Sequence, residues 1–154
     1  MTLLRLAYIS KSLLAGDPRE REHIADILMS SRRNNEETQV TGALLATEGR
    51  FAQVLEGEPK AVEEVYGRIT CVPRHQDIVL LLTEPIAARQ FPEWAMAYIG
   101  PSQPAEDAVA RVTRTLPPTD DGDAARDLVA FMSTMIDGCS DAMARPNDEP
   151  APKR

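Results

Sequence analysis

The chain has 154 residues, with 24 acidic side chains against 17 basic ones and a net charge of −7. That length suits one domain with added elements and can bury a core without disulfides or metal. The acidic balance argues against a nucleic-acid backbone as partner, because phosphate binding rests on basic surface.

Leu3–Ser10 (LLRLAYIS) reads as a first strand. Arg5 interrupts it and no small-residue cleavage site follows, so it does not read as a signal peptide. Asp17-Pro18-Arg19-Glu20 supplies a capping residue, a proline at the first helical position and a glutamate at N3. A helix is expected from there to about Arg33, with Ile24, Ile27 and Leu28 on one stripe, ended by the polar stretch Asn34–Gln39. Val40–Ala46 and Phe51–Leu55 flank Glu48-Gly49 and predict a β-hairpin. Gly57-Glu58-Pro59 breaks the strand. A second helix follows from Lys60 to about Thr70, with Val62, Val65, Tyr66 and Ile69 at helical spacing, and Pro73 stops it. The apolar run Ile78–Leu82 (IVLLL) reads as a strand covered on both faces. Phe91-Pro92 forms a bend, after which Trp94–Ile99 (WAMAYI) alternates as a fifth strand. The order β-α-β-β-α-β-β is that of a ferredoxin-like α+β sandwich with an added strand.

Two helices cover one face of such a sheet, and the rest of the chain offers a cover for the other. Pro104–Leu116 is weakly amphipathic through Val109, Val112 and Leu116. A better helix starts at Asp120–Asp123, carries Leu128, Val129, Met132, Met135 and Ile136 on one stripe, and closes at Gly138. These helices are expected to pack on the bare sheet face or on a partner subunit. The chain thus divides into a folded unit over 1–100, a helical extension over 101–144 and a tail over 145–154, whose three prolines and mixed charge predict disorder. No apolar run approaches ~18 residues, so no membrane span is expected. Cys71 and Cys139 lie far apart without CxxC or histidine spacing, which indicates neither a disulfide framework nor a zinc site; a reducing cytoplasm is the expected compartment.

No nucleophile–base pair stands out. His23 lies on the polar side of the first helix, and His75 follows the second, where it can cap the helix or touch a ligand. Gly42, Gly49 and Gly57 are isolated and form no phosphate loop. Gln53 is the oddity, because it sits between Phe51 and Leu55 on the inward face of its strand. An unpaired buried amide costs about 1–3 kcal/mol, so the fold or a ligand must supply its partners. Tyr8, Asn35, Trp94 and Met96 are further hydrogen-bonding or redox-capable groups. Each also has a plain structural reading as core aromatic, helix C-cap, edge packing or gap filler. Strands one and three are usually neighbours in this topology, so Tyr8 and Gln53 could touch.

Several motifs resemble the BLUF family of flavin-binding blue-light sensors in order and spacing: RRNN (Arg32–Asn35), VTGALL (Val40–Leu45), FAQVLEG (Phe51–Gly57), Tyr66-Gly67-Arg68-Ile69, Pro73-Arg74-His75 and the run from Arg89 to Met96. The resemblance implies an FAD, with FMN and riboflavin as alternatives, whose isoalloxazine slots between the first two helices. Ile27 and Ile69 would touch its faces, Asn35 its polar edge and Arg68 its ribityl–phosphate part, with His75 a further contact. Tyr8 and Gln53 match the family's photoactive pair. In that mechanism Tyr8 gives an electron to excited flavin while its proton passes through Gln53. The pair then collapses and leaves the amide rotated or tautomerised, with a stronger bond to flavin O4. Trp94 and Met96, together with the C-terminal helices, are the expected output elements. Val72 stands where the family often has an acidic residue, and Ala52, small for its place, should face away from Gln53 toward the C-terminal helices.

The implied protein is a short, stand-alone photoreceptor without enzymatic output, acting on an unknown downstream protein or through its assembly state. A homo-oligomer, dimer or larger, is expected from the stripe of Phe131, Met132 and Met135 on the last helix. The rival readings are a small flavin-dependent reductase and a ferredoxin-like interaction module without flavin.

Overall fold

Alternation along the strands sorts the apolar residues onto two faces of one sheet. The computed structural model describes residues 2–14, 16–71, 75–116 and 122–138. Its elements are β1 (Leu3–Ser12), α1 (Glu20–Thr38), β2 (Thr41–Ala46), β3 (Arg50–Gly57), α2 (Pro59–Ile69), β4 (His75–Ile86), β5 (Ala97–Ile99), α3 (Gln103–Arg114) and α4 (Asp123–Gly138). The sheet order is β4-β1-β3-β2-β5. All pairs are antiparallel except β2 with β5. Leu6, Tyr8, Leu44, Phe51 and Leu55 face one way and join Ile24 and Leu28 of α1 with Val62 and Val65 of α2. Ala7, Ile9, Leu45, Ala52 and Val54 face the other way, against Val109 and Val112 of α3 and Leu128 and Met132 of α4. This is the ferredoxin-like α+β sandwich with an added strand, with helices on both faces.

Several boundaries differ from the sequence expectation. Asp17 does not cap α1; its Oδ1 accepts the Arg19 N–H at 2.7 Å in a local turn, and the helix begins two residues later than expected, at Glu20, without a side-chain cap. At its other end α1 continues through Asn34–Thr38 and stops at Gln39, which takes a left-handed conformation with φ 60°. Tertiary burial of Arg32 and Asn35 overrides the weak helix propensity of that stretch. Asn35 therefore stands inside the helix and does not form its C-cap.

β4 is longer than expected and forms a sheet edge; Ile78 packs on the α1/α2 core and Val79, Leu81 and Leu82 on the α3/α4 core, while Leu80 is left 41% exposed. Register shifts against β1 fall between Ala7 and Tyr8 and between Ile9 and Lys11. The first explains why consecutive Leu81 and Leu82 both reach the α3/α4 core. β5 covers only Ala97–Ile99; Trp94–Met96 precede it as irregular chain, fastened where the Gly42 N–H donates to the Trp94 carbonyl at 3.0 Å.

The stripe of the last helix is not an open surface. Met132 is fully buried, and Phe131 and Met135 are half-buried against the same core, so the stripe covers the sheet. Val72, Pro73, Asp120 and the tail fall outside the described residues, so the expectations resting on them have no structural counterpart. Among the described residues no helix is long and apolar enough to cross a membrane.

Gly42 lies opposite Leu55 on β3, and a Cβ there would run into the Val54 carbonyl. Gly42→Ala is expected to destabilise the fold by about 1–3 kcal/mol, as overpacking does. The check is a lower urea midpoint at unchanged slope.

Candidate functional site

Antiparallel pairing of β1 with β3 sets Tyr8 directly opposite Gln53 at the centre of the sheet. Both side chains are buried, 2% and 4% exposed, and the Tyr8 hydroxyl donates to Gln53 Oε1. Burial pushes the Tyr8 phenol well above its ordinary pKa, which keeps it protonated and able to donate. With Oε1 so engaged, Gln53 turns its amide nitrogen to Met96 Sδ at 3.4 Å. A thioether is a weak acceptor, so this end of the amide is underused by the protein.

Met96 is held from α1. Arg32 Nε donates to the Met96 carbonyl at 3.0 Å, and Asn35 Nδ2 donates to the Ala95 carbonyl at 2.6 Å. Arg32 was not anticipated, although its position continues the buried stripe Ile24, Leu28, Arg32, Asn35, and a charged residue on such a stripe is a readable signal. Trp94 goes elsewhere: it is half-buried against the α3/α4 core and shares a separate notch with Gln90 and Ser133. The irregular backbone before β5 breaks the alternation that would have put Trp94 and Met96 on one side.

His75 opens β4 and both caps α2 and lines the site. Its Nε2 lies 3.1 Å from the Ile69 carbonyl, which can only accept, so Nε2 carries the proton. Nδ1 is then free to accept from the Ser10 hydroxyl at 2.7 Å. The ring sits 6.0 Å from that of Tyr8 and 6.2 Å from that of Phe51, while Tyr66 approaches Tyr8 at 5.7 Å.

These groups converge on a cleft between α1 and α2. Tyr8 and Gln53 from the sheet, Ile27 and Asn35 from α1, Arg68 and Ile69 from α2 and His75 from β4 all line it. The cleft holds about 140 Å³, roughly the liquid volume of five waters at about 30 Å³ each. Aliphatic side chains from two helices suit the faces of a flat ring. The amides of Asn35 and Gln53 suit an edge that alternates carbonyls and N–H groups, since each offers a donor and an acceptor. A carbonyl oxygen at that edge would be a better acceptor for Gln53 Nε2 than the Met96 sulfur is. The residues present therefore fit a flavin.

A family model described as "BLUF: Sensors of blue-light using FAD" matches residues 3–97. Photoactivated adenylate cyclase subunit beta of Euglena longa is 34% identical over 121 residues, covering 78% of this chain and 13% of that protein. The blue light- and temperature-regulated antirepressor BluF of Escherichia coli is 38% identical over 68 residues, 44% of this chain and 17% of that one. This chain thus spans only a small part of the length of those relatives. Among solved structures, BlrB, a BLUF protein in its dark state, superposes with a TM-score of 0.68 at 32% identity, over 86% of this chain and 96% of that one. BlsA in its photo-activated state shows the same fold, with a TM-score of 0.72 at 24% identity over 85% and 94% of the two chains. The match over residues 3–97 includes both members of the buried Tyr8–Gln53 pair and the whole cleft that they floor, and the chain belongs to the BLUF family of blue-light sensors using FAD.

Proposed function

We propose that this chain is a blue-light photoreceptor whose response is a rearrangement of the Tyr8–Gln53 hydrogen bond, read out by a separate partner protein or by a change of assembly state. The observation that carries the reading is the buried pair itself, with the Tyr8 hydroxyl on Gln53 Oε1 and the opposite end of the amide left to a thioether beside an open cleft. FAD bound there supplies blue-light absorption and, once excited, a one-electron oxidant. Tyr8 is protonated in its buried setting, and a phenol that gives up an electron becomes strongly acidic and sheds its proton. Gln53 Oε1 accepts the hydrogen bond along which that proton leaves. An amide that gains a proton at Oε1 and gives one up at Nε2 is tautomerised, and once the electron and proton have returned to Tyr8, with no net redox change, it would be left as that tautomer or rotated. Its bond to the ring edge is then changed.

One such bond is worth about 1 kcal/mol net, which alters a population ratio only about fivefold, so the output element must be poised near balance. Ile27 and Ile69 would hold the ring faces, Asn35 its polar edge and Arg68 the phosphate-bearing chain, with His75 fixing the end of α2 beside it. The photoactivated cyclases it resembles are far longer proteins, and no catalysis is assigned to this chain. A cytoplasmic homo-oligomer acting on another protein is the form in which we expect it to work.

The test is an absorption spectrum before and after blue light. The purified protein should be yellow, its flavin band should move slightly to the red on illumination, and the band should return in darkness. A colourless protein, or one whose band does not move, would overturn the reading. Asn35→Ala should weaken FAD binding about fivefold, the equivalent of one hydrogen bond of about 1 kcal/mol. Fluorescence titration of flavin-free protein checks that value.

A further inference from the structure

The buried charge of the sheet lies on the face away from the cleft. Alternation along β3 sends Gln53 toward α1 and α2 but places Glu56 with Ala52 and Val54 on the α3/α4 side. Its side chain is fully buried. One carboxylate oxygen accepts from Arg5 Nε at 2.9 Å, and the other accepts the backbone N–H of Gln90 at 2.8 Å and of Phe91 at 3.0 Å. The Glu56 carbonyl takes Arg89 at 3.0 Å, and Arg89 also reaches Thr41 on β2 at 2.9 Å. Glu56 thus fastens the start of the connection between β4 and β5. The far end of that connection is Ala95–Met96, gripped by Asn35 and Arg32, with Met96 Sδ on Gln53.

Two routes lead from this anchor to α4. Arg5 Nη1 donates to Glu84 Oε2 at 3.0 Å, and Glu84 Oε1 accepts from Arg126 Nε of α4 at 3.1 Å. Gln90 Nε2 donates to the Ser133 hydroxyl of α4 at 3.0 Å. A buried carboxylate carries a desolvation cost that an apolar side chain would avoid. Here an apolar side chain would leave the Gln90 and Phe91 amides and Arg5 Nε without their acceptor.

Resting on the photoreceptor reading above, we infer that Glu56 is the positioning residue that couples the hydrogen bonds around Gln53 to α4. A change at Gln53 and Met96 moves the connection over residues 89–96. Glu56 holds the other end of that connection in a fixed relation to Arg5, Glu84 and Ser133, so the displacement reaches α4, the element able to present it to a partner.

The experiment is hydrogen–deuterium exchange of the full chain loaded with FAD, dark and under blue light, with the absorption shift recorded on the same samples. The wild type should show a light-minus-dark difference in peptides over 123–138. Glu56→Gln keeps a carbonyl oxygen for the two amides but removes the charge facing Arg5, and should reduce that difference. Glu56→Leu removes both and should abolish it, while the red shift persists in each variant. If the Glu56 variants do not fold, Glu84→Ala combined with Ser133→Ala removes the α4-side acceptors of both routes with the anchor left in place, and should likewise abolish the difference and keep the shift. An undiminished α4 difference in folded Glu56→Leu, or in the double variant, overturns the inference. So does a wild type whose band shifts with no change in α4. A wild type that does not shift at all overturns the photoreceptor reading instead.

Discussion

Gln53→Leu is expected to give a protein that still binds FAD and is yellow, but whose absorption band no longer moves under blue light. Leucine fills about the same buried space and leaves Ile27, Ile69 and Asn35 lining the cleft, so the ring keeps its aliphatic faces and one polar contact. What disappears is the group that accepts from Tyr8 and donates toward Met96. The Tyr8 hydroxyl is then left buried without its acceptor, which costs about 1–3 kcal/mol of stability. With no amide to carry the proton or to turn round, there is nothing to hold a changed hydrogen bond once the light is off. The check is a pair of spectra, dark and illuminated, with bound flavin quantified after denaturation. A normal red shift that recovers in darkness would remove Gln53 from the mechanism.

The same pair shows how far the sequence could be read. Tyr8 and Gln53 were legible because period-2 alternation fixes the face of each strand and the strand order makes them neighbours, which the register bears out residue for residue. The hairpin around Glu48-Gly49 and the apolar stripes of α2 and α4 were legible for similar reasons, since each depends on spacing within a few residues. Apart from one local choice at Asp17, what failed depended on partners far away in the chain. Asp17 can either cap a helix or close a local turn, and the loop geometry, not the motif, decided in favour of the turn. Asn35 stays helical because it bonds a carbonyl 60 residues on. Trp94 and Met96 part company because the chain between them is pinned to Gly42 and α1 and does not run as a strand. Glu56 was readable in principle: the alternation that exposes Gln53 as an inward polar residue also marks Glu56 as a charge on a face that two helices cover. Nothing local indicates that its partners are Arg5 and the amides of Gln90 and Phe91, because they come from strands and turns remote in sequence.

On the proposed mechanism, Tyr8→Phe separates the source of the electron from the group that records its passage. The phenylalanine ring keeps the packing against Tyr66 and His75, and the cleft keeps its shape. Only the hydroxyl is lost, which leaves Gln53 Oε1 without its donor at a cost of about 1–3 kcal/mol, measurable by urea unfolding. Gln53 itself is retained and can still bond the ring edge, so FAD binding should survive. The photoreaction should not, because phenylalanine has no acidic proton to release and is a far poorer electron donor than a phenol. Two readings follow together: the light-induced red shift is lost, and flavin fluorescence lives longer because its nearest quencher is gone. Trp94 is not expected to take over, since it packs on the opposite face of the sheet among residues of the α3/α4 core. If Tyr8→Phe shifted normally with an unchanged fluorescence lifetime, the electron would have to come from outside the Tyr8–Gln53 pair, and the hydrogen bond at the centre of the sheet would be a packing device alone.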